Sequence, residues 1–154
     1  MTQEQVLIKK YLPADFRDCY TEILTSMIPM TVNDLYDIMF RQFPKGVRWL
    51  LKLRDMIVKP FGLKTGISFD DKIKEQNTNE IILGAEDKHL TFYISLFCSD
   101  INSGKQTVSV STIVKYNNFS GKIYFSAIWI FHRILVGYTF RRAIKIQRRQ
   151  IFLY

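Results

Sequence analysis

The sequence predicts an α+β domain, an antiparallel sheet covered by one long C-terminal helix. Three observations carry this. Ile123 to Arg149 is a long, Pro-free, apolar run that closes on basic residues. His89–Ser99 and Gln106–Tyr116 alternate with period two and are joined by the turn residues Asn102-Ser103-Gly104-Lys105. Before them, one alternating stretch is followed by two helical patterns split at Phe43-Pro44. Strands in succession, closed by a helix, argue α+β.

Taken in order, residues 1–14 read as a lead-in that Pro13 ends. The domain proper is then 15–154. Asp15–Thr25 alternates and is rich in aromatic and β-branched residues, which predicts a first strand. Ile28-Pro29-Met30 breaks it. Thr31 is a good N-cap, and Asp34 stands at the third helical position, the spacing of a capping box with a shorter acid. Leu35, Ile38 and Met39 follow at helical spacing. A second helix is predicted from Lys45 to Val58, ended by Lys59-Pro60-Phe61-Gly62. Gly66–Phe69 reads as a short strand or a loop, and the polar Asp70–Asn79 as a turn or exposed excursion. Asn79–Gly84 is a strand, and Ala85–Lys88 turns the chain. In His89–Ser99, Leu90, Phe92, Ile94, Leu96 and Cys98 share one face; His89 and Tyr93 take the other. Asn117-Asn118 stops the last strand and offers an N-cap to the long helix.

On that helix Tyr124, Ala127, Ile128, Phe131, Ile134, Leu135 and Tyr138 fall on one stripe. The opposite side carries Phe125, Trp129, Val136 and Phe140, so both sides demand cover, from core, a partner chain or lipid. A membrane span is disfavoured by His132 and Arg133 in the middle of the run. A central Arg costs roughly 2.5–3.5 kcal/mol on insertion scales.

The net charge of +8 is unevenly placed. Residues 1–100 hold 13 basic and 14 acidic side chains; residues 101–154 hold 9 basic and none acidic. Arg141, Arg142, Lys145, Arg148 and Arg149 sit where cations complement a helix C-terminus. No nucleic-acid-reading motif accompanies them, and no nucleic-acid partner is expected. Cys19 and Cys98 have neither metal-ligand nor redox-motif spacing, so no metal or cofactor is expected. The start, Met1-Thr2-Gln3-Glu4-Gln5, lacks the form of a secretory leader. A cytoplasmic protein with free thiols is the expectation. Phosphate-binding loops, a nucleophile elbow and zinc-protease motifs are absent from the sequence.

Three patches carry a family resemblance. They are Trp49-Leu50-Leu51-Lys52-Leu53-Arg54-Asp55 with Gly62-Leu63-Lys64, Leu83-Gly84-Ala85-Glu86-Asp87-Lys88-His89-Leu90, and Phe131-His132-Arg133. With the order of elements, they resemble a bacterial domain family of unknown function in the START-like (SRPBCC, polyketide cyclase-like) superfamily. The resemblance implies a helix-grip fold: a curved antiparallel sheet wrapped around the long C-terminal helix, with two short helices after the first strand. It also implies a cavity between sheet and helix, with Tyr124, Ile128, Phe131 and Leu135 facing it. His132, at the edge of that stripe, completes the expected lining.

The leading functional expectation is a non-catalytic module holding a small, largely apolar ligand. A second is a cofactor-free isomerase, cyclase or hydrolase with His132 or His89 as base. The Asp87-Lys88-His89 set is more simply a hairpin turn. The third is an interaction protein, either a homodimer through Phe125, Trp129, Val136 and Phe140 or a membrane-surface protein using the basic tail. Arg133 needs an acid, with Asp55 or Asp87 as candidates.

Overall fold

The computed structural model describes residues 5–61 and 69–153. The Gly66–Ser68 stretch and the Gly62-Leu63-Lys64 patch lie outside the described residues.

The chain forms a five-stranded antiparallel sheet and a long C-terminal helix. The strands are β1 (Phe16–Thr25), β2 (Ile73–Gln76), β3 (Glu80–Glu86), β4 (Leu90–Cys98) and β5 (Lys105–Tyr116), in spatial order β1-β5-β4-β3-β2. The helices are α1 (Val32–Tyr36), α2 (Lys45–Val58) and α3 (Phe119–Ile151). A wider π turn, Asp37–Arg41, continues α1.

Local chemistry sets the boundaries. Thr31 and Asp34 form a reciprocal capping box at the start of α1. Asn118 caps α3 by accepting the Gly121 N–H at 2.9 Å. Ser103 and Gly104 both have positive φ, 51° and 73°, which lets β4 turn tightly into β5. β2 corrects the expectation of an exposed excursion over Asp70–Asn79. Four residues, Ile73–Gln76, add an edge strand to β3, with a register shift between Ile73 and Glu75.

The sheet is covered on both faces. On the inner face, Leu24, Val108, Val110, Ile94, Leu96, Cys98, Ile81 and Leu83 pack against Val136, Phe140, Ala143 and Ile144 of α3 and against α1. On the outer face, Ile82, Tyr93 and Ile113 are covered by Leu7, Ile8, Tyr11 and Leu12. The segment expected to be a lead-in therefore lies across the sheet. Glu80, only 1% exposed, holds it there. Its carboxylate accepts the N–H groups of Val6 (2.9 Å), Leu7 (2.7 Å) and Ile8 (3.2 Å) and the Ser95 hydroxyl (2.6 Å).

α3 is tied down along its length. At its start, Asn118 Nδ2 donates to Lys88 O at 3.0 Å, and Gly121 lies so close to the His89 carbonyl that a Cβ there would stand 1.9 Å from the oxygen. Further on, Arg142 Nη1 donates to Gln42 O (2.9 Å) and Ile38 O (3.3 Å), satisfying carbonyls the π turn leaves open. Near its end, Arg148 pairs with Glu22 at 3.3 Å. Part of the expected basic tail is thus spent on intramolecular contacts.

Candidate functional site

Between α3, the inner sheet face and α2 lies a cavity of about 150 Å³. Its walls are almost wholly apolar. Val110, Val114, Leu90, Phe92 and Ile94 come from the sheet, Met39 and Phe40 from the first helical segment, and Leu50, Leu51 and Arg54 from α2. α3 contributes Tyr124, Phe125, Ile128, Phe131, His132, Leu135, Val136 and Thr139. The structure thus places Tyr124, Ile128, Phe131, His132 and Leu135 together on one wall.

Polar groups break this lining at few points. Thr139 is satisfied within its own helix, donating to Leu135 O at 2.8 Å. Arg54 is paired with the adjacent Asp55. Burial raises the Tyr124 hydroxyl above its usual pKa, opposed by the Arg54 charge. The remaining polar wall is Thr112 with His132, and Asp18 stands beside them. Asp18 and Thr112 are directly opposite in the β1–β5 register. His132 Nε2 is 3.3 Å from Asp18 Oδ2. The two atoms do not form a hydrogen bond. The His132 and Asp18 side chains are 16% and 21% exposed. Phe16 and Phe125 flank the imidazole at ring-centroid distances of 6.3 and 6.4 Å.

Three atoms here stand out. Asp18 Oδ1, Thr112 Oγ1 and His132 Nε2 are the buried side-chain polar atoms without a hydrogen-bond partner among the described residues. Native proteins rarely leave such groups unmet, because each costs about 1–3 kcal/mol. Thr112 and His132 are in the cavity wall, whereas Asp18 is not among its lining residues.

Several sequence expectations move. Phe125, Val136 and Phe140 are 5%, 7% and 2% exposed and belong to the protein's own core, so they offer no face to a second copy. Of that set Trp129 alone reaches the surface, at 36%. Conversely Ala127, Ile134 and Tyr138, on the same predicted stripe as the cavity-facing residues, are exposed. A helix apolar all round gives the wheel no way to choose its buried side. Arg133 has neither Asp55 nor Asp87; its guanidinium lies over the Trp129 ring, 5.4 Å from the centroid. His89 is at the β3–β4 turn, its Nδ1 3.5 Å from Asn118 Oδ1, and it does not line the cavity. Asp18 is the neighbour of His132 that sequence reasoning missed. Its signal was its place on the alternating face of Phe16, Tyr20 and Leu24.

A second depression, of about 560 Å³, lies on the outer face beside the N-terminal segment. It is larger but open, and its polar groups answer one another. Thr21 and Ser109 hydroxyls are 3.0 Å apart, and Ser111 donates to Gln5 Oε1 at 2.7 Å. Asp18 is among the residues that line it.

Fold and cavity define an α+β protein with an apolar chamber between its sheet and its C-terminal helix. Residues 11–139 match the family described as "Protein of unknown function (DUF2867)", and the chain belongs to that family. No curated protein matches it. Among solved structures it is similar to a hypothetical protein from Helicobacter pylori, at 11% identity and a TM-score of 0.43, over 93% of this chain and 99% of the other.

Proposed function

We propose that this protein is a non-catalytic binding module of helix-grip, START-like architecture, holding one small, largely apolar molecule between its sheet and α3. The observation that carries this is the apolar cavity whose wall holds two unmet buried polar atoms, Thr112 Oγ1 and His132 Nε2. Its size sets the scale of the ligand. Drug-sized sites run to roughly 300–1,000 Å³, whereas a dry cavity of about 150 Å³ holds a single six-membered ring. A ring or a short branched chain fits; a polycyclic or long-chain lipid does not.

The test is native mass spectrometry of gently purified protein, followed by denaturing extraction. The expected result is a retained species of about ten heavy atoms or fewer, lost in Ile128→Trp, whose indole fills the chamber. Retention of the same species by a folded Ile128→Trp variant would place it elsewhere and overturn the assignment. The Asp18–His132 pair also has the composition of an acid–base pair. Recovery of a chemically altered ligand after incubation would overturn the non-catalytic part.

A second reading rests on the outward side of α3. Ile123, Ile130, Ile134 and Tyr138 are each about half exposed, and the same side continues into Arg141 and Lys145. α3 is long and apolar enough to cross a membrane by length and composition, with 33% of its most apolar window buried. One side is committed to the sheet, which favours lying on a surface over spanning it. With no acidic residue after position 100, the same face of another α3 offers this tail no counter-charge, and an anionic lipid surface supplies one. Salt-sensitive flotation with phosphatidylserine vesicles, lost in Ile130→Asp/Ile134→Asp, is the expected outcome. Equal binding to neutral vesicles, or a stable dimer mass instead, would overturn it.

A further inference from the structure

We infer that the cavity's occupant presents a neutral carbonyl oxygen, as a small ketone, aldehyde or lactone does, to Thr112 and His132. This deepens the binding reading above and rests on it.

The unmet atoms of the wall carry the inference. Thr112 is 2% exposed, and its Oγ1 has no hydrogen-bond partner among the described residues. His132 Nε2 is likewise buried and unbonded. Behind the imidazole, Asp18 Oδ2 stands 3.3 Å from that nitrogen. A carboxylate oxygen at this distance repels a lone pair and favours a proton, so Nε2 carries the hydrogen whether the ring holds one proton or two. Asp18 thus sets the tautomer and need not itself touch the occupant. It also ties the two groups together, since it faces Thr112 across β1 and β5. The wall therefore offers two unspent donors, Thr112 Oγ1–H and His132 Nε2–H. A carbonyl oxygen has two lone pairs and no hydrogen of its own, which matches them with nothing left over.

Other head groups fit worse. An alcohol adds a third hydrogen, and one donor is left over whichever way the hydroxyls turn. An ammonium sets three more donors against the two already present. A carboxylate accepts well, but it brings a second negative charge close to Asp18 in an apolar chamber, where like charges are screened least. The cation in the wall, Arg54, is already paired with Asp55. A head with no polar group leaves both donors unmet. The rest of the wall, including Val110, Val114, Ile128 and Leu135, has no preference beyond apolar contact.

The test uses six-membered-ring probes that differ in the head, namely cyclohexanone, methylenecyclohexane, cyclohexanol and cyclohexanecarboxylate. Affinities are measured by calorimetry on the whole chain, and the cavity is located by amide shift changes on α3 and β5. The ketone and the hydrocarbon leave water at different cost, so the reading is how their affinity ratio changes between variants. In Thr112→Val, which keeps the shape and removes the hydroxyl, the ratio should fall about 2–10-fold, the range for one neutral hydrogen bond. Thr112→Ser, which keeps the hydroxyl, should retain it. The carbonyl stretch of bound cyclohexanone should lie below its value in an alkane and rise in Thr112→Val. Ring nitrogen shifts of His132 should place a proton on Nε2. An unchanged ratio or stretch in Thr112→Val, or an unprotonated Nε2, would overturn the head-group assignment and leave the cavity reading intact. Tighter binding of cyclohexanol or cyclohexanecarboxylate than of cyclohexanone would overturn it likewise. If no probe binds, the cavity reading itself fails.

Discussion

Replacing Glu80 by Gln should loosen the N-terminal segment and cost a large share of the protein's stability. Glu80 is buried, and both carboxylate oxygens are engaged, Oε2 by Val6 and Leu7 N–H and Oε1 by Ile8 N–H and the Ser95 hydroxyl. A Gln amide must turn its NH2 toward one of these pairs. The milder choice keeps Val6 and Leu7 on the carbonyl. Ser95 can then rotate its hydroxyl to accept, but the Ile8 N–H is left without a partner, which costs about 1–3 kcal/mol. The two retained bonds also change from charged to neutral acceptors, each weaker by roughly 1 kcal/mol. The expected loss is about 3–5 kcal/mol, against a typical total of about 5–15 kcal/mol. For a chain of this length that lowers Tm by roughly 6–20 °C. Urea unfolding and calorimetry measure the loss. Amide exchange adds a local readout, since the Val6, Leu7 and Ile8 amides should lose protection before the strands do. A variant within 1 kcal/mol of wild type, with these amides still protected, would refute the view that this carboxylate holds the segment in place.

Thr112→Val should stabilise the fold by about 1–2 kcal/mol, because it removes a buried hydroxyl that has no partner and adds a buried methyl; a lower urea midpoint would show that the hydroxyl is satisfied. Gly121→Ala should cost about 1–3 kcal/mol by driving a Cβ against the His89 carbonyl, and an unchanged midpoint would contradict that packing. Burial pushes the Cys98 thiol up to about 12 while Cys19 is exposed. One thiol should therefore react rapidly with Ellman's reagent near neutral pH, and the second only on unfolding. Lys10 and then Tyr11 hold the Glu75 carboxyl below its usual range, and Tyr36 and then Arg41 do the same for Asp70. Both carboxylates thus favour the folded state above the ordinary carboxylate pKa of about 4, and that contribution fades as pH falls through their lowered folded values. Glu75→Gln and Asp70→Asn should each flatten the acid limb of the stability profile; parallel profiles would argue against the two clusters.

The features legible in the sequence are those that local chemistry decides. The Thr31–Asp34 box, the Asn118 cap, the Ser103-Gly104 turn and the α2 boundaries all depend on residues a few positions apart. β2 was not legible, because Ile73-Lys74-Glu75-Gln76 is short, polar and paired on one edge only, and its strand character comes from β3. The inner side of α3 was half legible. Tyr124, Ile128, Phe131 and Leu135 share the cavity wall, but the apolar face opposite them belongs to the core, because Phe125, Val136 and Phe140 meet the sheet there. Asp18 had no local mark of importance. What distinguishes it is a neighbour on a strand far along the chain and an imidazole on the last helix, and the sheet alone brings the three together. The outward-facing Ile82, Tyr93 and Ile113 likewise become buried only because Glu80 fastens the N-terminal segment over them.

The pairing of β1 has a consequence for how the protein is made. β1 is an edge strand whose ladder partner is β5, with Phe16 opposite Val114, nearly a hundred residues later. At about 5–20 residues per second of synthesis, β1 waits roughly 5–20 s before its partner leaves the ribosome. The β3–β4–β5 meander needs only short loops and can assemble first. β1 must remain unpaired meanwhile, and its charged positions, Arg17, Asp18 and Glu22, suit a strand that has to stay soluble and resist pairing with another nascent chain. The acid that later stands beside the cavity would first serve as a safeguard against aggregation.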